Sequence, residues 1–210
     1  ERRVIEYLQQ ELKWDFKGKS ALVVSGVDRF GIAEALWDAG CKTTYGDLIF
    51  ALGIPIPVHR LSTLRIIAYT LLPLLSQLPF KYLYPTGEKQ DTVNTKHVSY
   101  YQANEIIAGD FHFIRKYMPQ ELSGKTIITN TVTKEDLELL RERGVKILVT
   151  TTPEMEGRSF GTNVMEGVLI SLLGKRVDEV QPEDYSNLLE RLQLRPRIVY
   201  LQESRQNGDA

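Results

Sequence analysis

The sequence predicts an α/β fold with a doubly wound, mostly parallel sheet of the Rossmann-like type. Two observations predict it: short apolar or β-branched runs recur along the chain, and segments with the apolar spacing of a helix lie between them. Parallel neighbouring strands need a long return connection, which a helix supplies. Residues 21–40, "ALVVSGVDRFGIAEALWDAG", form the first such unit, since they predict a strand, a glycine turn and a helix.

The first half of the chain opens with a helix whose apolar side chains lie on one stripe. Gly18 precedes the first strand, and Gly40 ends the helix that follows it. Strands are expected at residues 21–24, 41–45 and 80–84. Helices are expected at residues 1–12 and 32–38, directly after Asp47, and at 61–78, where an apolar helix is inserted. Residues 85–100 are polar and turn-forming, and we expect a mobile surface loop there.

The second half alternates more regularly between the two kinds of element. Strands are expected at residues 105–109, 126–131 and 146–151, with an edge strand at 197–201. Helices are expected at residues 111–118, 134–143, 162–173 and 183–192. Thr133 is a good helix cap, since Glu135 and Asp136 place acids in the first turn after it. Residues 203–210 are polar and expected to be disordered, which leaves a single domain over 1–202.

Composition argues against several classes of function. The chain has 42% hydrophobic and 25% charged residues, as an ordinary globular protein does. With 26 basic and 27 acidic side chains it lacks the positive excess that nucleic-acid binding needs. Arg65 and Pro73 interrupt the most apolar stretch, residues 61–80, so no membrane partner is expected.

Cysteine usage bears on compartment and metal content. Cys41 is the single cysteine, so the chain forms no intrachain disulfide and no multi-cysteine metal site. A reducing cytoplasm is the expected location. The histidines, cysteine and acidic residues have no metal-ligand spacing either, and no metal is expected.

The turn after the first strand has part of a dinucleotide-binding pattern. In "SGVDRFG", residues 25–31, Gly26 and Gly31 occupy the outer positions of G-x-G-x-x-G, and Asp28 occupies the middle one. A carboxylate at that position would repel a pyrophosphate at the helix N-terminus. Two arrangements would relieve the repulsion: Arg29 neutralises the site, or a turn one residue longer points Asp28 outward. Phe30 completes the set of predicted cofactor contacts in this turn.

Asp47 follows the second strand and stands 21 residues after Gly26. A carboxylate at about this spacing hydrogen-bonds the adenosine ribose in dinucleotide-binding folds. The alternative interpretation is a cap for the helical piece that begins there. The two roles are compatible, and the spacing alone leaves both open.

Small and hydroxyl-bearing residues stand at the ends of the later strands. Gly109, Thr151 and Thr152 would let a cofactor lie close to the backbone and would offer hydrogen bonds without added charge. Threonine is also common in strands for its own sake. His112 follows Asp110 by two residues, and together they are the predicted catalytic pair, in which His112 relays a proton during carbonyl reduction. Alternatively, His112 is a surface or packing residue.

Three segments together resemble bacterial proteins of the quinate 5-dehydrogenase-like kind, within the shikimate dehydrogenase and glutamyl-tRNA reductase group. They are "GKSALVVSGVDRFGIAEALWDAG", "EIIAGDFHFIRKYMPQELSGKTIITNTV" and "ILVTTTPEMEGRSFGTNVMEGVL", about a third of the chain. The resemblance implies NAD or NADP across the strand ends, with Gly26, Gly31 and Asp47 matching the family's cofactor contacts. Asp28 departs from that pattern. The Lys and Asp that shikimate dehydrogenases use on substrate belong to an N-terminal domain not found in this sequence. If Glu1 is a boundary in a longer protein, the pair lies upstream; if the chain is complete, the resemblance implies the fold and the cofactor but not the activity.

Three hypotheses of function follow. The first is the NAD(P)-binding domain of an oxidoreductase that acts on a small hydroxylated or carbonyl substrate, quinate-like or shikimate-like. The second is a site for S-adenosylmethionine or another adenosine ligand without a pyrophosphate. The third is a non-catalytic module that assembles with partners, including a second copy of the chain, through an exposed face of the helix at 61–78.

Overall fold

The computed structural model describes residues 1–75, 97–155, 158–159 and 161–202. The strand expected at 80–84, the tail expected at 203–210 and most of the loop expected at 85–100 lie outside these residues. Within them, residues 98–102 are helical and not part of a loop. The prediction of a loop was wrong there because Tyr101 is fully buried against Phe50 and stabilises a short helix within a polar stretch.

The described strands form a six-stranded sheet and a small hairpin. The strands are β1 Ser20–Val23, β2 Lys42–Tyr45, β3 Ile106–Ala108, β4 Thr126–Thr129, β5 Ile147–Thr150, β6 Glu154–Met155, β7 Arg158–Ser159 and β8 Arg197–Tyr200. The sheet order is β2-β1-β3-β4-β5-β8. β1 to β5 run parallel, and β8 pairs antiparallel with β5 at the edge. The predicted α/β fold with a mostly parallel sheet is therefore confirmed.

Helices flank this sheet. They are α1 Arg2–Gln10, α2 Phe30–Asp38, α3 Asp47–Phe50, α4 Leu61–Leu75, α5 Val98–Gln102, α6 Phe111–Tyr117, α7 Lys134–Glu142, α8 Thr162–Leu173 and α9 Pro182–Arg191. Thr133 caps α7 as expected: its hydroxyl accepts the N–H of Asp136, whose carboxylate accepts the N–H of Thr133. The β6–β7 hairpin was not predicted, because two-residue strands are too short to show a period.

Two hydrophobic layers explain the continuous apolar run of β1. Ala21 and Val23 face one layer, which contains residues of α1, α2 and α4. Leu22 and Val24 face the other, which contains residues of α6 and α7. Alternate side chains of a strand point to opposite faces, so a strand covered on both sides is apolar throughout. Helices on both faces make the sheet doubly wound.

The strand order determines where a ligand crevice would form. From β1 the chain moves to β2 on one side, and the described part of it returns to β3 on the other side of β1. Ligands of open α/β sheets bind outside the carboxyl ends of the strands at such a reversal. The turn after β1 and the turn after β3 therefore meet at the expected crevice.

The inserted helix α4 has one buried and one exposed face. Leu61 and Leu64 are buried, whereas Ile66 and Tyr69 are 64% and 82% exposed. Pro73 lies inside the helix. Among the helices that the structure describes, none combines the length and the apolar character needed to cross a membrane.

Gly109 joins the turns after β1 and β3, and we expect Gly109→Ala to destabilise the fold by about 3 kcal/mol. Its φ is +134°, and an added Cβ would lie 2.6 Å from Val24 Cγ2 and 3.0 Å from Ser25 Oγ. Urea unfolding measures the change. Gly167→Ala in α8 is the control, because an added methyl group meets nothing within 4 Å there. That substitution should stabilise the protein by about 0.5 to 1 kcal/mol. Equal effects of the two substitutions would contradict the role assigned to Gly109.

Candidate functional site

The amide hydrogens of the first turn already have an acceptor inside the protein. The N–H of Gly26 donates to Asp47 Oδ2 at 3.0 Å, and the N–H of Val27 donates to Asp47 Oδ1 at 2.7 Å. Asp47 reaches them because β2 runs beside β1 and ends at the same edge of the sheet. The carboxylate thus takes the position at which these two amides would hold an anion.

This geometry also corrects one interpretation of Asp47. The N-cap residue of α3 is Gly46, and Asp47 is the first residue of the helix. The side chain of Asp47 turns to the β1 turn instead of capping its own helix. The spacing in the sequence correctly predicted that Gly26 and Asp47 are neighbours. They hydrogen-bond each other, however, and not a common ligand.

Both glycines of the turn are in close contact with other parts of the protein. A Cβ on Gly26 would lie 3.0 Å from Leu64 Cδ2 and 3.2 Å from Tyr45 Cδ1, so α4 and β2 cover this glycine. A Cβ on Gly31 would lie 3.1 Å from the Cβ of Glu1. The need for glycine at both positions therefore has a packing explanation. A pyrophosphate bound here would have to displace Asp47 and separate these contacts.

Burial dominates the electrostatics of Asp47. Removal from water raises the pKa of its carboxyl group to about 6, against the lowering effect of the two amide hydrogen bonds. The charged form is therefore held in the protein at some cost near neutral pH.

Arg29 links the first turn to its surroundings. Its guanidinium lies 2.8 Å from Asp110 Oδ2, 3.0 Å from Glu1 Oε1 and 3.3 Å from Asp28 Oδ2. Asp28 points outward and is exposed, and it also pairs with Arg29. Asp28 is thus paired with Arg29, as the first of the two arrangements requires, and its side chain is exposed. Burial alone would lower the pKa of Arg29. The hydrogen bond to Asp110 and the neighbouring carboxylates have a larger effect in the opposite direction, so the net pKa is raised and the guanidinium stays charged.

Asp110 is the N-cap of α6 and has a full set of partners. Its carboxylate accepts from Arg29 Nη2 at 2.8 Å, Asn130 Nδ2 at 2.8 Å and the His112 N–H at 2.9 Å. Its own N–H donates to Ser25 Oγ at 3.0 Å. Burial alone would raise the pKa of Asp110, but the hydrogen bonds from Arg29 and Asn130 together lower it. Asp110 is therefore a fixed anion within the fold.

The remaining predicted residues near this turn divide between surface and packing positions. His112 reaches Asp110 only through its backbone amide, and its side chain is exposed. The predicted catalytic pair is thus joined through the main chain and not through the imidazole. Phe30 begins α2 half-buried, with the Arg65 guanidinium 5.7 Å from its ring centroid. Gly109 brings the β3 turn against Ser25, which closes the crevice between β1 and β3.

Thr151 and Thr152 lie at a different place, in a cavity of about 310 Å³ beyond the end of β5. We call it the β5-end cavity. Its walls come from α1, α8, α9 and the segment before β8. They are largely apolar and include Val4, Met165, Leu169, Leu189 and Leu194.

Two polar atoms of residues that line the β5-end cavity are buried without a hydrogen-bond partner in the part of the chain that the structure describes. They are Arg3 Nη1 and Thr151 Oγ1. Glu1 also lines the cavity while pairing with Arg29, so it connects the cavity to the turn after β1. An unsatisfied buried donor or acceptor costs about 1 to 3 kcal/mol. A bound ligand with complementary groups would recover part of this cost.

A comparison with known protein families identifies the family of this chain. The family described as Domain of unknown function (DUF8754) matches residues 1–201. The chain belongs to this family. No curated protein matches the chain, and no solved structure does. The DUF8754 fold described here thus rests on the geometry of this chain.

Sequence reasoning missed Arg3 and Arg195 as residues of a candidate site. Arg3 lies on the leading helix and Arg195 precedes the edge strand, so no spacing pattern relates them. Residues 1–75, 97–155, 158–159 and 161–202 contain no group of three His, Cys, Asp or Glu that could hold a metal ion.

We expect Arg29→Met to lower the free energy of unfolding at pH 7 by about 3 kcal/mol, because it leaves the Asp110 carboxylate buried without its cation. The side chains of Arg29 and Asp110 are only 15% and 6% exposed. Arg141→Gln, which removes the exposed pair with Glu138, is the control and should leave the free energy of unfolding nearly unchanged, because solvent screens that pair. The Arg29 effect should vanish as the pH falls through the pKa of Asp110, which its partners hold below the ordinary value of 3.8, since a protonated Asp110 no longer needs a cation. A deficit that does not change with pH would contradict this account.

Asp47→Asn tests the raised pKa of about 6. The folded protein binds the Asp47 proton more tightly than the unfolded chain, so this contribution to stability is complete below pH 3.8 and lost as the pH rises through 6. We expect the wild type to lose up to about 3 kcal/mol over this window relative to the variant. Urea unfolding between pH 3.5 and 7 measures the difference, with the exposed Asp15→Asn as the charge-matched control. Parallel pH profiles of wild type and Asp47→Asn would refute a raised pKa.

Proposed function

We propose that this domain binds a small molecule in the β5-end cavity and not a dinucleotide across the turn after β1. The cavity stands at the carboxyl end of a parallel strand, the edge at which open α/β sheets bind their ligands. Its volume lies at the lower end of the range typical of small-molecule sites.

The observation that carries the proposal is the pair of buried polar atoms at an apolar cavity. Ligand sites combine mostly hydrophobic walls with a few polar groups that orient the ligand. Arg3 and Thr151 supply such groups, and each has a polar atom without a partner among the described residues. Within a packed core, polar atoms are normally satisfied by the protein itself.

The side chains that fill the turn after β1 also favour the β5-end cavity as the ligand site. Asp47 holds the Gly26 and Val27 amides, and Leu64 and Glu1 cover the two glycines. An adenosine ligand that used the acid after β2 would have to break the same bonds. The expectation from the sequence that NAD, NADP or S-adenosylmethionine binds at this turn, with oxidoreductase activity, is the competing hypothesis, and the experiment below includes these ligands.

A thermal-shift panel tests the proposal directly. NADH, NADPH, S-adenosylmethionine and adenosine should leave the Tm unchanged, whereas some members of a library of ring-sized fragments should raise it. A ligand at about 100 times its Kd stabilises the folded state by about 2.7 kcal/mol. Met165→Trp fills the cavity and should abolish the fragment shifts, because Met165 lines it.

Val168→Trp is the matched control for this panel. It places the same side chain on α8 at a position that is 47% exposed, and fragment binding should survive it. A shift with NADH or NADPH that persists in Met165→Trp would instead support the dinucleotide site. Absence of any fragment that distinguishes the two Trp variants would overturn the cavity proposal.

A further inference from the structure

Two arginines in the wall of the β5-end cavity make no ion pair with a residue that the structure describes. They are Arg3 of α1 and Arg195, just before β8. From these groups we infer that the cavity takes a carboxylate with an apolar body, such as an aromatic or medium-chain acid. The inference rests on the proposed function, since it names the ligand class for the same site.

The wall of the β5-end cavity also contains two acids, Glu1 and Glu166, and Glu1 has a cationic partner of its own. Glu1 is 3.0 Å from Arg29 Nη1, and it is therefore neutralised from outside the cavity. Burial and the nearby carboxylate of Glu166 raise the pKa of Tyr185, so Glu166 faces the Tyr185 hydroxyl. Neither acid pairs with Arg3 or Arg195. With Glu1 paired to Arg29, the wall keeps the guanidinium groups of Arg3 and Arg195 against the single carboxylate of Glu166, an excess of positive charge that an anionic ligand would match.

A second hollow on the other side of the two arginines offers a competing location. Arg3 and Arg195 line it as well, together with Tyr7, Glu11 and Glu190. Its lining is more polar than that of the β5-end cavity, and it contains two acids. Each hollow is lined by two acids, but only the β5-end cavity offers the apolar body of the ligand a surface that contains Val4, Met165 and Leu169.

The geometry of the polar groups favours a carboxylate over a neutral acceptor. A guanidinium presents N–H donors in a planar fork that matches both oxygens of a carboxylate. The Thr151 hydroxyl is also buried and without a described partner, and it reaches the same group only after a rotation of its side chain. Arg3 Nη1 is shielded from solvent, so its donors reach the ligand after a rotation of the side chain. The remaining walls require that the rest of the ligand be apolar.

Matched acid and amide pairs provide the test. Benzoate and benzamide have the same size, as do hexanoate and hexanamide, and only the acids are charged at pH 7. Titrations followed by ¹H–¹⁵N NMR should give each acid a Kd at least tenfold lower than that of its amide. Arg3→Gln and Arg195→Gln should each weaken benzoate binding at least tenfold and leave benzamide unchanged.

Three further variants make the outcome specific. Arg191→Gln removes an exposed arginine of α9 that lines neither hollow, and it should change nothing. Arg3→Lys keeps the charge and should restore part of the benzoate affinity, which a merely structural role would not predict. Met165→Trp should abolish binding of both members of a pair. The Tm of each variant reports whether it folds.

The results separate this inference from the proposed function. If amides bind as tightly as acids and Met165→Trp removes both, the cavity is a ligand site and the inference of a carboxylate is wrong. If acids bind but Met165→Trp leaves them bound, they occupy another place and the inference also fails. If neither acids nor amides bind, while other fragments are lost in Met165→Trp, only the ligand class is overturned. If no fragment is lost in that variant, the proposed function fails too.

Discussion

The arrangement of this domain depends on one internal contact, the Asp47 carboxylate held by the amides of Gly26 and Val27. It joins the start of α3 to the turn after β1 and satisfies two N–H groups that precede α2. A buried carboxylate is costly, and here its pKa rises to about 6 even with two hydrogen bonds. The Asp47 carboxylate is an anion of the protein itself at the position where a dinucleotide-binding fold would bind a pyrophosphate. The candidate ligand site is therefore not this turn but the β5-end cavity.

A second set of contacts closes the crevice between β1 and β3. Arg29 bridges Glu1, Asp28 and Asp110, and Asn130 and Ser25 complete the partners of Asp110. Such buried polar networks are stable when every member is satisfied. The polar residues that gather at the strand reversal thus hold the turns together. Among the residues that the structure describes, a cavity opens at this edge of the sheet beyond β5, where α1, α8 and α9 meet.

The local sequence pattern predicted which residues of the site lie near each other, but not what they bind. Gly26, Gly31 and Asp47 were expected to be neighbours of one ligand, and the structure does bring Gly26 and Asp47 together. Spacing along the chain cannot show which group a carboxylate accepts from, since a ribose hydroxyl and a backbone amide are both donors. It also cannot show that Leu64 and Glu1 cover the glycines, because those contacts join segments far apart in sequence. Thr151 and Thr152 do follow the end of a strand, as expected, but they line the β5-end cavity and not the crevice between β1 and β3.

The sequence by itself determined the α/β fold and most of its elements. Strands such as β1 are apolar on both faces and helices are apolar on one, and these periods follow from local backbone geometry. Only the tertiary structure decided where the polar groups point and where space remains. Arg3 and Arg195 both line the β5-end cavity, although they stand near opposite ends of the sequence. No local period relates such residues, because their proximity arises only when α1 and the segment before β8 pack beside the finished sheet.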